Sequence, residues 1–297
     1  MQTKLIIGCG YLGTYVGRLW LEQGHQVYAL IKSPQRASVL SAEGFQVVLA
    51  DVLDPKSLNG LPAGHTLLYS VGPGGRRSVS RWGLYRDGLA NVLDIVARGY
   101  DQIALVSSTG VYGISGNNWI NEHTPRKPER ESSQALAAAE DLLLESAWRD
   151  RAFVFRLGGI YGPDRIPLVS HLRQAQPLPT SPEALLNLIH VEDAAAAIDL
   201  VLKQKKPPCI VNVVDGHPVM RRDFYSELAR LLDVAAPQFG MPSYSDSKDK
   251  DLSPIRYREC ATKRVSNAVL VNECGMVFRY PNYRAGLADI VKRGFDR

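Results

Sequence analysis

Cysteine is scarce, and no two cysteines are spaced to act together. Cys9, Cys209, Cys260 and Cys274 are the only four in 297 residues, with no C-x-x-C pair and no disulfide framework. Reduced, buried thiols are expected, as in a reducing compartment. Long hydrophobic runs are lacking too. The opening apolar stretch, Leu5-Ile6-Ile7, is too short for a signal peptide or a membrane span, and glycine follows it at once. A cytoplasmic protein with no membrane partner is expected. Neither sign of charge dominates: the net charge is +5, and the basic residues are scattered. That distribution suits small anions and argues against a nucleic-acid partner. No internal repeat is visible, and no metal site is expected. Against these absences stand 45% hydrophobic and 22% charged residues, an ordinary globular composition in a chain long enough for one large domain or two coupled ones.

What is present is an alternation of apolar strand-like runs with helical patterns, the mark of a parallel sheet covered on both faces. Strands are predicted at residues 4–7, 26–31, 46–50, 66–71, 103–107 and 153–157. Between the first two, Leu12, Val16 and Leu19 recur at helical spacing. Leu89, Val92, Leu93 and Val96 mark a helix over 84–97, and the Ala- and Leu-rich run 134–146 marks another. After Gly162-Pro163 the rhythm breaks at Pro167, Pro177, Pro179 and Pro182. A helix at 191–202, a strand at 210–214 and an amphipathic helix around Phe224 and Leu228 follow. Residues 235–254 read as a polar loop, mobile over 245–251. The expected fold class is α/β: a doubly wound parallel sheet of Rossmann type with a smaller carboxyl-terminal substrate lobe. The expected partition gives 1–165 plus 187–215 to the nucleotide-binding domain and 166–186 plus 216–297 to the substrate side.

Gly8, Gly10 and Gly13 form G-x-G-x-x-G directly after a strand and at the start of a helix, the setting in which the pattern signals a dinucleotide site. The tight turn, the close approach of backbone to pyrophosphate and the helix amino terminus all favour bound phosphate. An NAD-selective site usually carries an acid about 20 residues further on. Here the only acid between Gly13 and Glu43 is Glu22, in the helix, and the second strand ends in Lys32-Ser33 with Arg36 close behind. Cations and a hydroxyl suit a 2′-phosphate, so NADP(H) is favoured over NAD(H); the alternative is that Lys32 and Arg36 are ordinary surface charges. Asp51 either meets the adenine amino group or caps its own turn. Gly72, Gly74 and Gly75 follow the fourth strand on the same side. The predicted cofactor contacts are Gly8, Gly10, Tyr11, Leu12, Gly13, Lys32, Ser33, Arg36, Asp51, Val52, Val71 and Gly72.

The run Leu105-Val106-Ser107-Ser108-Thr109-Gly110-Val111-Tyr112-Gly113 resembles the fifth-strand motif of extended short-chain dehydrogenase/reductases. Phe155-Arg156-Leu157-Gly158-Gly159-Ile160-Tyr161-Gly162-Pro163 is similar to the sixth-strand motif of that superfamily, and Leu188-Ile189-His190-Val191-Glu192-Asp193-Ala194 to a later block. The tail, with Lys263-Arg264-Val265-Ser266-Asn267, resembles its atypical NAD(P)-dependent epimerase/dehydratase-like subgroup. The resemblance implies that Ser108 hydrogen-bonds the reacting oxygen and that Tyr161 lies near nicotinamide and substrate. It also implies a Tyr-x-x-x-Lys pair as acid/base engine. Counting back from Glu140, those positions hold Ser132 and Leu136, which cannot do that work. Tyr112, Asp87 and His123 are the alternative proton carriers, and Arg76, Arg77 and Arg256 are candidates for a substrate anion. Two functions follow. One is an NAD(P)-linked oxidoreductase, epimerase/dehydratase- or reductase-like, acting on a small anionic or nucleotide-sugar-type substrate. The other is a non-catalytic NADP(H)-binding sensor or scaffold. A homodimer through the 84–97 and 134–146 helices is expected, with Ala137, Ala138 and Ala139 permitting close approach.

Overall fold

A computed structural model describes residues 1–74, 79–113, 116–204, 209–240 and 262–294. Gly75, Arg76, Arg77, Arg256, Cys260 and the 245–251 segment lie outside the described residues. A seven-stranded parallel sheet runs in the order 46–49, 26–31, 3–7, 64–69, 100–108, 152–157, 210–213. The strands are β1 (Thr3–Ile7), β2 (Gln26–Ile31), β3 (Gln46–Leu49), β4 (Gly64–Tyr69), β5 (Tyr100–Ser108), β6 (Trp119–Ile120) and β7 (Ala152–Leu157). After them come β8 (Gly159–Tyr161), β9 (Leu185–Leu186), β10 (Leu188–His190), β11 (Ile210–Val213), β12 (Val219–Met220) and β13 (Arg264–Val265). Central strands are apolar on both faces because helices cover both: Leu5, Ile6, Ile7, Leu67 and Leu68 are fully buried. The chain divides into two compact units. The first comprises Met1–Val111, Glu131–Arg156 and Ala195–Val211, and the second Tyr112–Arg130, Leu157–Ala194 and Asn212–Arg297.

In the first unit the helices are α1 (Tyr11–Glu22), α2 (Pro34–Ala42), α3 (Gly88–Ile95), α4 (Glu131–Leu144) and α6 (Val191–Leu202), the last beginning in the second unit. Helix α1 packs tightly on the sheet side: a Cβ on Gly17 would fall 2.2 Å from the Phe45 ring. Far from the glycine loop, Trp20 Nε1 donates to Asp199 Oδ1 at 2.9 Å and Gln23 to Asp199 Oδ2 at 2.9 Å. Lys4, itself buried, sets its ammonium 4.5 Å from the Trp20 ring, and Lys203 pairs with Asp199 at 2.6 Å.

The single helix predicted over 84–97 is compound. A π-helical turn, Gly83–Asp87, precedes α3, and a 3-10 turn, Ala97–Gly99, follows it. The buried Tyr69 hydroxyl donates to Leu84 O at 2.5 Å and so takes a carbonyl that the helix would otherwise use. Gly88 makes room, since a Cβ there would meet that hydroxyl at 2.6 Å. One thiol departs from expectation: Cys9 and Cys274 are buried, but Cys209 is exposed. It precedes the edge strand β11, where the sheet has no further neighbour to cover it.

The second unit has its own core. Tyr161, Leu172, Leu188, Phe224, Leu228, Leu287 and Ile290 are buried in it, drawn from β8, α5 (Val169–Arg173), β10, α7 (Arg221–Leu232) and α8 (Tyr283–Lys292), with Leu178 from the loop after α5. Short pairings hold its loops: β8 runs parallel to β10, β9 antiparallel to β12, and β6 parallel to β13. Among the described residues no helix is long and apolar enough to cross a membrane, and no cluster of His, Cys, Asp and Glu suits a metal ion.

Candidate functional site

The glycine loop leaves β1 with Gly8 at φ 84°, a left-handed value that an L side chain rarely takes. Space forbids one as well: a Cβ there would lie 2.7 Å from the Val71 backbone. Gly8 N donates to Leu30 O at 3.0 Å and Gly10 N to Gly8 O at 2.7 Å, which fixes the turn. Gly10 is the N-cap of α1 and brings no side chain to the helix amino terminus, the end of a helix that favours an anion. Leu12 turns into the core and Tyr11 packs edge-on to Tyr15 at 5.4 Å. Burial pushes the Cys9 thiol up to about 11, so it stays protonated within the loop.

The residues nominated for the 2′-phosphate are already engaged by protein. Arg36, on α2, reaches back over the loop: Nε donates to Cys9 O at 3.1 Å, and Nη2 to Gly10 O at 3.4 Å and to Thr14 Oγ1 at 2.6 Å. Its Nη1 has no described partner. Ser33 is the N-cap of α2, accepting from Arg36 N at 3.4 Å, with Pro34 in the first turn. Lys32 forms an ion pair with Asp51. Asp51 also accepts from Leu53 N at 3.0 Å, which caps its turn, one of the two roles open to it from the sequence. Val52 is buried and its carbonyl accepts from Asn91 at 2.8 Å, whereas a Cβ on Gly72 would meet nothing within 4 Å. Thr14 was not foreseen. Its hydroxyl donates to Gly10 O at 2.6 Å and receives Arg36, a role visible in sequence only as a hydroxyl following Gly13.

At the end of β5, Ser108 is half-buried and its Oγ accepts from Gly110 N at 3.1 Å. Its neighbour Ser107 donates to Glu140 Oε1 at 2.5 Å, and Glu140 forms a two-pronged ion pair with Arg156 at 2.7 and 3.1 Å. On α4, Ser132 is half-buried and Leu136 is buried; they precede Glu140 by eight and four residues and share its helical face. Among the alternative proton carriers, Asp87 is exposed and paired with Arg86, and His123 is exposed. Tyr112, in the second unit, is buried and donates to Asn212 Oδ1 at 2.7 Å.

Tyr161 lies inside the core of the second unit, 1% exposed, edge-on to His190 at 5.3 Å and to Phe224 at 6.2 Å. Its hydroxyl has no hydrogen-bond partner among the described residues, and burial, helped by the charges of Asp215 and Asp193, pushes it far above the usual phenol range. His190 is held down to about 4 by burial, a neutral structural imidazole. Two titratable groups here escaped the sequence. Burial raises Asp215 to about 7, with Oδ1 accepting from His217 N at 2.9 Å and Oδ2 without a partner among the described residues. Burial also lowers Lys263 to about 8, with Nζ donating to Gly113 O at 3.2 Å. Only burial marks these two, and a lone Asp or Lys in a sequence does not announce it.

Sheet order and glycine loop together define a Rossmann-type fold, and residues 8–149, just under half of the chain, match the family model described as NAD(P)H-binding. The seven-stranded sheet and its flanking helices match solved structures described as NAD-dependent epimerase/dehydratase-like. It is 28% identical over 289 residues to protein YeeZ of Escherichia coli (strain K12), covering 95% of this chain and 97% of that one. A solved structure from Methylobacillus flagellatus, described as a candidate NAD-dependent epimerase/dehydratase, is 28% identical with a TM-score of 0.77 over 98% of each chain. The dTDP-glucose 4,6-dehydratase of Bacillus anthracis, solved in complex with NAD, shares the fold at 15% identity, with a TM-score of 0.78 over 99% of this chain and 97% of that one.

Proposed function

We propose that the chain binds NADP(H) in preference to NAD(H) and uses it for hydride transfer on a small anionic or nucleotide-sugar-type substrate, as an epimerase, dehydratase or reductase. The observation that carries the cofactor preference is the Arg36 guanidinium, held over the glycine loop by three bonds with Nη1 left over, in a site with no acid at the end of β2. A guanidinium fixed in this way loses little freedom when it meets a phosphate. The nucleotide-sugar class rests on the fold shared with the dTDP-glucose dehydratase.

The nicotinamide supplies the hydride when bound. The chain's own part is to seat the pyrophosphate at the amino terminus of α1, the 2′-phosphate chiefly on Arg36 with Lys32 as a secondary cation, and the reacting oxygen against Ser108 Oγ. Fluorescence titration tests the cofactor choice. NADPH should bind more tightly than NADH, and Lys32→Ala with Arg36→Ala should erase most of the difference, since each charge-assisted bond is worth about 1.5–3 kcal/mol. Equal curves for the unmodified protein would defeat the preference.

A second reading, a non-catalytic NADP(H) sensor or scaffold, is favoured by Ser132 and Leu136 where the acid/base pair would stand. Oxidation of bound NADPH by any of a panel of carbonyls and nucleotide sugars separates the two readings: turnover removes the sensor.

A further inference from the structure

We infer that Asp51 sets cofactor selectivity by restraining Lys32, holding its ammonium away from the adenosine 2′-phosphate so that Arg36 meets that group first. The inference rests on the proposed seating of the cofactor at the ends of β1, β2 and β3. Strand register creates the pair. Strands β2 and β3 are parallel with Ile31 opposite Leu49, and Ala50 N donates to Ile31 O at 3.1 Å, so Lys32 and Asp51 leave neighbouring strands side by side.

The two partners differ in freedom. Asp51 is clamped: its amide donates to Ser57 Oγ at 3.0 Å, that hydroxyl donates back to Asp51 O at 3.0 Å, and Oδ1 takes Leu53 N at 3.0 Å. Oδ2 takes Lys32. The lysine is the mobile member, on a four-carbon stem and 43% exposed. A carboxylate so placed does two things to an incoming phosphate. It occupies the ammonium, and it adds its own negative charge nearby. Arg36 is hydrogen-bonded to neutral oxygens alone among the described residues, and Glu43 acts on it only through space without an ion pair. Lys32 therefore contributes less to 2′-phosphate binding than its position suggests, and Asp51 limits the preference for the phosphorylated cofactor.

Asp51→Asn is the test. An asparagine oxygen can still accept from Leu53 N, so the turn persists, and thermal melting checks this. The readout is the ratio of NADH to NADPH dissociation constants from fluorescence titration, backed by calorimetry with 2′,5′-ADP against 5′-ADP. Any bond from residue 51 to adenine is common to both members of each pair and cancels in the ratio. Asp51→Asn should raise the ratio about three- to ten-fold, the scale of a half-exposed ion pair and its screening. In a Lys32→Ala background the same change should leave the ratio within about two-fold. An unchanged ratio in Asp51→Asn would overturn the inference. So would an equal rise in the Lys32→Ala background, since charge repulsion alone would then explain it. A wild-type ratio of one that still rises in Asp51→Asn would sink the proposed NADP preference and leave the restraint standing. Failure of every variant to bind either cofactor would sink both.

Discussion

Replacing Glu140 by alanine tests how far the strand carrying Ser108 depends on one buried charge. Glu140 is fully buried and Arg156 is 3% exposed. The carboxylate takes Arg156 at 2.7 Å through one oxygen, and at 3.1 Å through the other, which also accepts Ser107 at 2.5 Å. Removing it strands a guanidinium where water cannot reach, which costs about 3–5 kcal/mol. For a cooperative unit of this size that lowers Tm by about 6–20 °C. Glu140→Gln keeps an acceptor and loses the charge, and should cost less, about 1.5–3 kcal/mol. Glu140→Leu with Arg156→Met removes both charges and should recover much of the loss, because apolar replacement of a buried pair is often neutral. Urea unfolding followed by circular dichroism reads all three. A cost below about 1 kcal/mol for Glu140→Ala, or a double variant no better than the single, would refute the reasoning.

Ser132→Tyr with Leu136→Lys restores the spacing of the missing pair on one helical face, and should add about 10²–10⁴-fold to any NADP-linked turnover, with Ser132→Tyr alone gaining less; unmodified activity that survives Ser108→Ala would show that another group carries the proton. Asp215 titrates near 7 folded against 3.8 unfolded, so the folded state holds its proton longer and stability falls as pH rises from about 4 to 7. Asp215→Asn should therefore flatten the fall of Tm with pH and be relatively more stable above pH 7; an unchanged slope would contradict the assignment. Light scattering at tens of micromolar should give a dimer mass, and a monomer would count against pairing through the 83–95 and 131–144 helices.

The parallel sheet was legible because its strands are apolar on both faces and glycine punctuates them; Lys4 to Ile7 and Gln26 to Ile31 need nothing more. The glycine loop was legible because its chemistry is local. The π-helical turn at 83–87 was not, since the group that opens it, Tyr69, lies fifteen residues earlier in sequence. Nor was the pairing of Lys32 with Asp51, which depends on the register between two strands. Sequence gave Arg36 a charge and a place after β2, but not the direction of its side chain, and direction is what puts it on the loop carbonyls. Tyr161 illustrates the converse: a motif supplies its neighbours in sequence, while its burial against Phe224 and His190 comes from segments up to 63 residues away.

The bond from Trp20 to Asp199 has a consequence for the order in which the chain is made. Lys4 and Trp20 emerge early, yet the carboxylate that answers both belongs to a helix synthesised some 180 residues later. An amino-terminal fragment ending at 157 would carry every strand from β1 to β7 and still lack the carboxylate that meets the Trp20 indole N–H and faces the Lys4 ammonium. The first unit therefore lacks one set of its buried polar partners until the segment 195–211 is made, after residues 157–194, all of them the other unit's, have been synthesised.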